Sequence, residues 1–183
     1  FETTFIEQAK IMTSSSDPAT VKTYFSNGVR SLKQGNLLEA EAFFAKCISE
    51  DEQFQAAWLQ LGITWARMGR DEEASDAFRM AVALNNSDVD GLYNLGLSLL
   101  KTGHEDEGLS YMSKACELSD NPEIAISLGE TYYKIGNYKK SSFFFLKAYQ
   151  KDKTSPNLIK DLAISLFQEG DTTRSVFLMR DLL

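Results

Sequence analysis

Along residues 55–88, Trp58, Leu61 and Trp65 recur at three- and four-residue steps, which places them on one face of an α-helix. Gly69 interrupts the pattern, and Asp71-Glu72-Glu73 follows where acidic side chains favour a helix N-terminus. A second helix then carries Ala74, Phe78 and Ala81 on one face. The same alternation returns at a fixed interval. Gly35, Gly69, Gly103, Gly136 and Gly170 are spaced 34, 34, 33 and 34 residues apart. Gly28, Gly62, Gly96, Gly129 and then Ala163 form a second column, seven residues earlier in each case. Nine of the 11 glycines fall in these two columns, so the chain reads as an array of five helix pairs. The expected units are 21–54, 55–88, 89–121, 122–155 and 156–183.

The two columns predict different roles for glycine. Gly69 and its column mates end the first helix of each pair, where a left-handed backbone would penalise a side chain. The Gly62 column lies inside that helix, where glycine costs about 1 kcal/mol relative to alanine. Close approach of the neighbouring helix backbone is the expected compensation.

Trp58, Leu61, Gly62, Trp65, Ala74 and Phe78 together resemble the tetratricopeptide repeat at each place of its pattern. The third unit offers Leu92, Leu95, Gly96, Leu99, Gly108 and Met112, and the fourth Ala125, Leu128, Gly129, Tyr132, Ser141 and Phe145. The first (Tyr24, Asn27, Gly28, Ser31, Ala40, Phe44) and fifth (Ile159, Leu162, Ala163, Leu166, Ser175, Met179) depart more from it. The resemblance implies an all-α fold, a right-handed superhelical solenoid of tetratricopeptide helix pairs whose first helices line a concave groove. It also implies protein binding. The motif residues themselves are packing residues, because each pair buries its stripe mainly against its neighbours.

Composition narrows the function from the other side. The 183 residues are 43% hydrophobic and 25% charged, enough for a core. A formal charge of -7 argues against nucleic acid as the main partner. No run approaches the roughly 18 apolar residues that span a bilayer, so membrane insertion is not expected. Two cysteines make no disulfide framework, and the opening stretch lacks a secretory layout; the expected compartment is cytoplasmic. The chain starts at Phe1, from which we expect a segment of something longer or a processed product. Within residues 1–20, Phe1, Phe5, Ala9 and Met12 stand at helical spacing ahead of a Ser14–Pro18 break, which predicts an N-terminal amphipathic helix and linker.

Function has to come from residues that stacking does not claim. On the first helices these are Phe25, Val29 and Leu32, then Leu59, Ile63 and Ala66, then Tyr93, Leu97 and Leu100. The fourth unit adds Ile126, Glu130 and Tyr133, and the fifth Lys160, Ile164 and Phe167. Such an apolar row marks an interaction surface or packing between adjacent first helices. Lys33, Arg67, Lys101 and Lys134 follow at the repeat period, with Gln168 breaking the series. They read as solvated helix ends or as a positive rail for a ligand with acidic flanks.

Some modes implied by the resemblance are not met. The carboxylate clamp of chaperone-binding members would need Lys and Asn in the first two units and basic residues in the third, and the matching positions here are Phe25, Val29, Gln60, Asp90 and Asn94. The groove asparagines of peroxisomal receptor members reduce here to Asn94 and Asn157. Catalytic chemistry has little to work with. His104 is alone in a turn, Asp88-Val89-Asp90-Gly91 lacks the other ligands of a calcium loop, and Cys47 and Cys116 fall on helical faces as core thiols. We expect no enzyme activity, metal or cofactor, and a partner protein that offers a peptide or amphipathic helix. Two alternatives stand beside this: self-assembly through Phe1, Phe5, Phe177, Leu182 and Leu183, or service as the regulatory arm of a larger enzyme.

Overall fold

The computed structural model describes residues 17–180, and these form ten α-helices and no strand. In chain order they are α1 (Pro18–Lys33), α2 (Leu37–Glu50), α3 (Gln55–Arg67), α4 (Asp71–Leu84) and α5 (Val89–Lys101). Then follow α6 (Glu105–Leu118), α7 (Pro122–Lys134), α8 (Tyr138–Lys151), α9 (Pro156–Glu169) and α10 (Thr172–Arg180). The segment expected as an N-terminal amphipathic helix lies outside the described residues, as do Leu182 and Leu183. Helix α1 begins at Pro18, inside the stretch read as linker.

Local chemistry sets the boundaries. All three prolines stand in the first turn of a helix: Pro18, Pro122 and Pro156. There the missing N–H has no intrahelical partner to lose. The residue before each, Asp17, Asn121 or Ser155, caps the helix by accepting from a backbone N–H. Asp88 does the same for α5, its carboxylate accepting from the N–H of Gly91 at 3.1 Å. The stretch 88–91 is therefore a helix start. At the other end of each first helix the predicted glycine column is left-handed, with φ of 77° at Gly69 and 100° at Gly170. The N–H after each glycine reaches back to close the turn, as from Arg70 to the Trp65 carbonyl at 2.9 Å.

The chain divides into two compact units, residues 1–86 and 87–183. In the first, α1 packs on α2 and α3 on α4, with α2 and α3 joining the two hairpins. Its core gathers Val21, Leu32, Phe44, Cys47, Ile48 and Leu61. In the second, α5–α6, α7–α8 and α9–α10 are the hairpins, joined through α6·α7 and α8·α9. Leu92, Leu95, Leu99, Met112, Leu128, Phe145 and Leu162 are the largest of its fully buried side chains.

The inner glycine column has a different cause from the one expected. A Cβ on Gly28 or Gly62 would lie 2.6 Å from the ring of Phe44 or Phe78, and one on Gly129 would lie 2.8 Å from Phe145. The space left by the missing side chain holds an aromatic ring of the second helix. In the third hairpin the backbones themselves approach: a Cβ on Gly96 or on Gly108 would stand 2.8 Å from the other's carbonyl oxygen. There Met112, which is flexible, replaces the ring.

In the last two hairpins serine takes the small position of the second helix. Ser141 donates to the Gly129 carbonyl at 2.8 Å, and Ser175 to the Ala163 carbonyl at 2.7 Å. Each bond ties the second helix to the first at its tightest point and satisfies a hydroxyl that burial would otherwise penalise.

Candidate binding surface

In the first unit the row expected to line a groove is largely occupied by the protein itself. Phe25 is half-buried, its ring 5.9 Å from Phe44 and 5.1 Å edge-on from Phe54. Val29 and Ile63 are half-buried and pack on the same core, while Leu59 and Ala66 are half-buried on α3. Leu32 corrects the expectation outright. It is 6% exposed and a member of the core, so it offers no surface to a ligand.

The second unit differs. Tyr93 and Leu97 are half-buried on α5, and Ile126 and Tyr133 on α7, the Tyr133 ring meeting Tyr138 edge-on at 5.3 Å. Asn94 is turned onto its own helix, its amide donating to the Asp90 carbonyl at 2.8 Å. Glu130 is exposed where the corresponding residues of the earlier units are Val29, Ile63 and Leu97. Around it Tyr133, Lys134, Phe145, Asp161 and Ile164 enclose a cavity of about 250 Å³ between α7 and α9, and Phe145, 2% exposed, forms its floor. Sequence reasoning missed Asp161. Its column mates Ser26, Gln60, Asn94 and Ser127 are polar too, and that polar column was the available signal.

The expected positive rail is discontinuous. Lys33 and Lys134 are exposed. The Arg67 guanidinium donates to the Leu32 carbonyl at 3.4 Å, and Lys101 is held in an interaction of its own. Half of the rail is thus engaged within the protein.

A second opening, of about 660 Å³, lies along α9 and α10 and is bordered by Ile164, Phe167, Val176, Met179 and Arg180. On its border Phe167 is 58% exposed and Val176 66%, and Phe177, the next residue of α10, is 58% exposed. The Arg180 guanidinium lies 5.6 Å from the centre of the Phe177 ring.

Outside these surfaces the titratable groups serve packing. Glu41 accepts from the Trp65 indole and the Arg70 guanidinium, each at 2.8 Å, and these bonds hold its carboxyl below the usual range. Burial, with Asp51 nearby, pushes the Cys47 thiol up to about 11, which suppresses the nucleophilic thiolate. Cys116 is 1% exposed, and Lys147 donates to its carbonyl at 2.6 Å. His104 is exposed at the start of α6. Among the described residues no three His, Cys, Asp or Glu side chains stand together as a metal set. Among them, too, no helix is long and apolar enough to cross a membrane.

Comparison with known proteins settles the family. The tetratricopeptide repeat family matches at residues 31–98, 89–122 and 122–153. The chain belongs to the tetratricopeptide repeat family. Anaphase-promoting complex subunit 3 of Schizosaccharomyces pombe is 29% identical over 115 residues, 60% of this chain and 17% of that protein. The chain spans less than a third of the length of the curated relatives it matches. Among solved structures, MamA superposes with a TM-score of 0.80 at 18% identity, covering 90% of each chain. YrrB, described as a tetratricopeptide protein with an unusual peptide-binding site, gives 0.74 at 19% identity, covering 87% of this chain and 82% of its own. At these identities the likeness establishes the fold, an all-α tetratricopeptide solenoid. Tetratricopeptide domains are protein-interaction modules, and nothing in the residues or the relatives points to an enzymatic activity.

Proposed function

We propose that this chain is a non-catalytic interaction module that holds a peptide or helix of a partner protein along its first helices, as a scaffold, adaptor or client chaperone. The observation that supports the reading is the recurrence, on the first helices of each unit, of apolar side chains at the repeat period that are half-buried and keep part of their surface open. Leu59 and Ile63 represent it in the first unit, and Tyr93, Leu97 and Ile126 in the second. Such surface is retained where a partner covers it. The description of YrrB as having a peptide-binding site agrees with this use of the fold. In the first unit the candidate residues are Phe25, Val29, Leu59 and Ile63 with Lys33 beside them, and in the second Tyr93, Leu97, Ile126, Glu130 and Tyr133 with Lys134.

Leu97→Glu tests it. A charge placed there reduces affinity for a peptide selected on the wild type by more than about tenfold, because a carboxylate is not buried without a partner. Thermal unfolding stays within a few degrees of wild type, since Leu97 lies outside the most buried set. Undiminished peptide affinity in this variant sinks the reading.

The exposed Phe167, Val176 and Phe177 favour a second reading, self-association through the α9–α10 face. Light scattering of wild type beside Val176→Glu decides it: a concentration-dependent dimer lost in the variant supports assembly, and a monomer throughout rejects it.

A further inference from the structure

The cavity between α7 and α9 has a charge pattern opposite to the one the lysine series predicts. Glu130 projects from α7 and Asp161 from α9, and both border the same opening, with Lys134 as the one cation beside them. Among the described residues neither carboxylate has an ion pair like those that hold Asp120 to Lys151 or Asp171 to Arg174 elsewhere in this unit. The walls below them are Tyr133, Phe145 and Ile164. A volume of about 250 Å³ falls below the roughly 300–1,000 Å³ of small-molecule sites. It is the size of a place for one long side chain.

We propose that this cavity receives an arginine or lysine side chain of the bound peptide, which makes the preferred ligand basic at that position and apolar on either side. The inference rests on the groove reading above and specifies its ligand. An aliphatic stem covers Ile164 and Phe145, as long cationic side chains cover apolar surface while the charge stays at the rim. Tyr133 adds an aromatic wall beside the cation. Two carboxylates carried by two different helices suit a guanidinium, whose planar fork donates in several directions at once, better than an ammonium. Lys134 offsets one of the two negative charges, and the remaining one is reinforced by the molecule's net charge of -7. The pocket therefore rejects an acidic residue at the place where it accepts a basic one.

Random peptides displayed on phage are selected in parallel on the wild type, on Leu97→Glu and on the double variant Glu130→Gln/Asp161→Asn. The wild type returns peptides with Arg or Lys at a fixed spacing from apolar residues. The double variant returns the apolar pattern without the basic position, and Leu97→Glu returns neither. In a selected peptide, replacing the arginine by norleucine weakens binding to the wild type by about tenfold, as for a charge-assisted hydrogen bond. The same replacement changes binding to the double variant by less than about twofold. A basic position that is absent from wild-type peptides, or that persists on the double variant, overturns this inference and leaves the groove reading standing. Recovery of the same peptides on Leu97→Glu overturns the groove reading, and a wild type that selects no peptide overturns both.

Discussion

In the second hairpin the ring of Phe78, 1% exposed, fills the space that Gly62 leaves open. In the fifth hairpin the equivalent positions hold Ala163 and Met179, and Met179 is 37% exposed beside a cavity. The inner faces differ in the same sense. The second hairpin presents Leu59, Ile63 and Ala66, all half-buried, whereas the fifth presents Lys160 and Phe167, both exposed, around a half-buried Ile164. A rigid ring on a glycine fixes the distance between two helices and leaves little room to adapt. In the fifth hairpin the partly exposed Met179 leaves apolar surface open beside a cavity. Members of one repeat series can therefore divide the work, some holding the stack and some keeping apolar surface available.

The largest difference between these hairpins appears when their inner positions are enlarged. Gly62→Leu forces the Phe78 ring out of its place and costs about 3 kcal/mol, the upper end of overpacking effects. Ala163→Leu, where the counterpart of Phe78 is the partly exposed Met179, costs about 1 kcal/mol, the lower end of overpacking effects. Chemical denaturation of the two variants measures both, and equal losses would break the comparison. Enlarging the small position of the second helix sharpens it. Ala74→Leu, at a site with no exposure, costs about 1–3 kcal/mol. An unchanged unfolding midpoint would remove Ala74 from the packing column.

The smallest effect concerns a polar contact of the second hairpin, the bond from the Trp65 indole to Glu41. Trp65→Phe removes the indole bond to Glu41 and costs no more than about 1 kcal/mol, because the carboxylate is partly exposed. The bond lowers the carboxyl's folded pKa, so its contribution is fully present above the ordinary carboxylate range and is lost as pH falls through the lowered value. Unfolding curves of wild type and Trp65→Phe should converge in acid. A gap that stays constant with pH would mean that ring packing, rather than the ion, carries the effect.

Much of the fold was legible because its signals are local. A left-handed glycine, a proline in a first turn and an apolar stripe of period 3.6 each declare themselves within one or two turns of chain, and five repetitions reinforce them. The candidate surface was legible only in part. The period pointed to Val29, Ile63, Leu97 and Glu130 as one column. Leu32, at another place on its helix, was read as surface and lies in the core instead. Asn94 and Arg67 were expected to face a ligand, yet each donates to a backbone carbonyl. Those outcomes depend on which acceptor lies within reach after packing, and spacing along the chain does not report that.

The amino-acid order by itself therefore determined the helices, their ends, their pairing into five hairpins and the family. Each of these follows from steric and hydrogen-bonding rules that act over a few neighbouring residues. Only the tertiary structure decided what fills the inner glycine column and which of the periodic apolar residues stay open. It alone set Asp161 of one helix beside Glu130 of another over the Phe145 floor. The physical reason is volume: a side chain goes where adjoining helices leave space, and that space is shared among residues far apart in the chain.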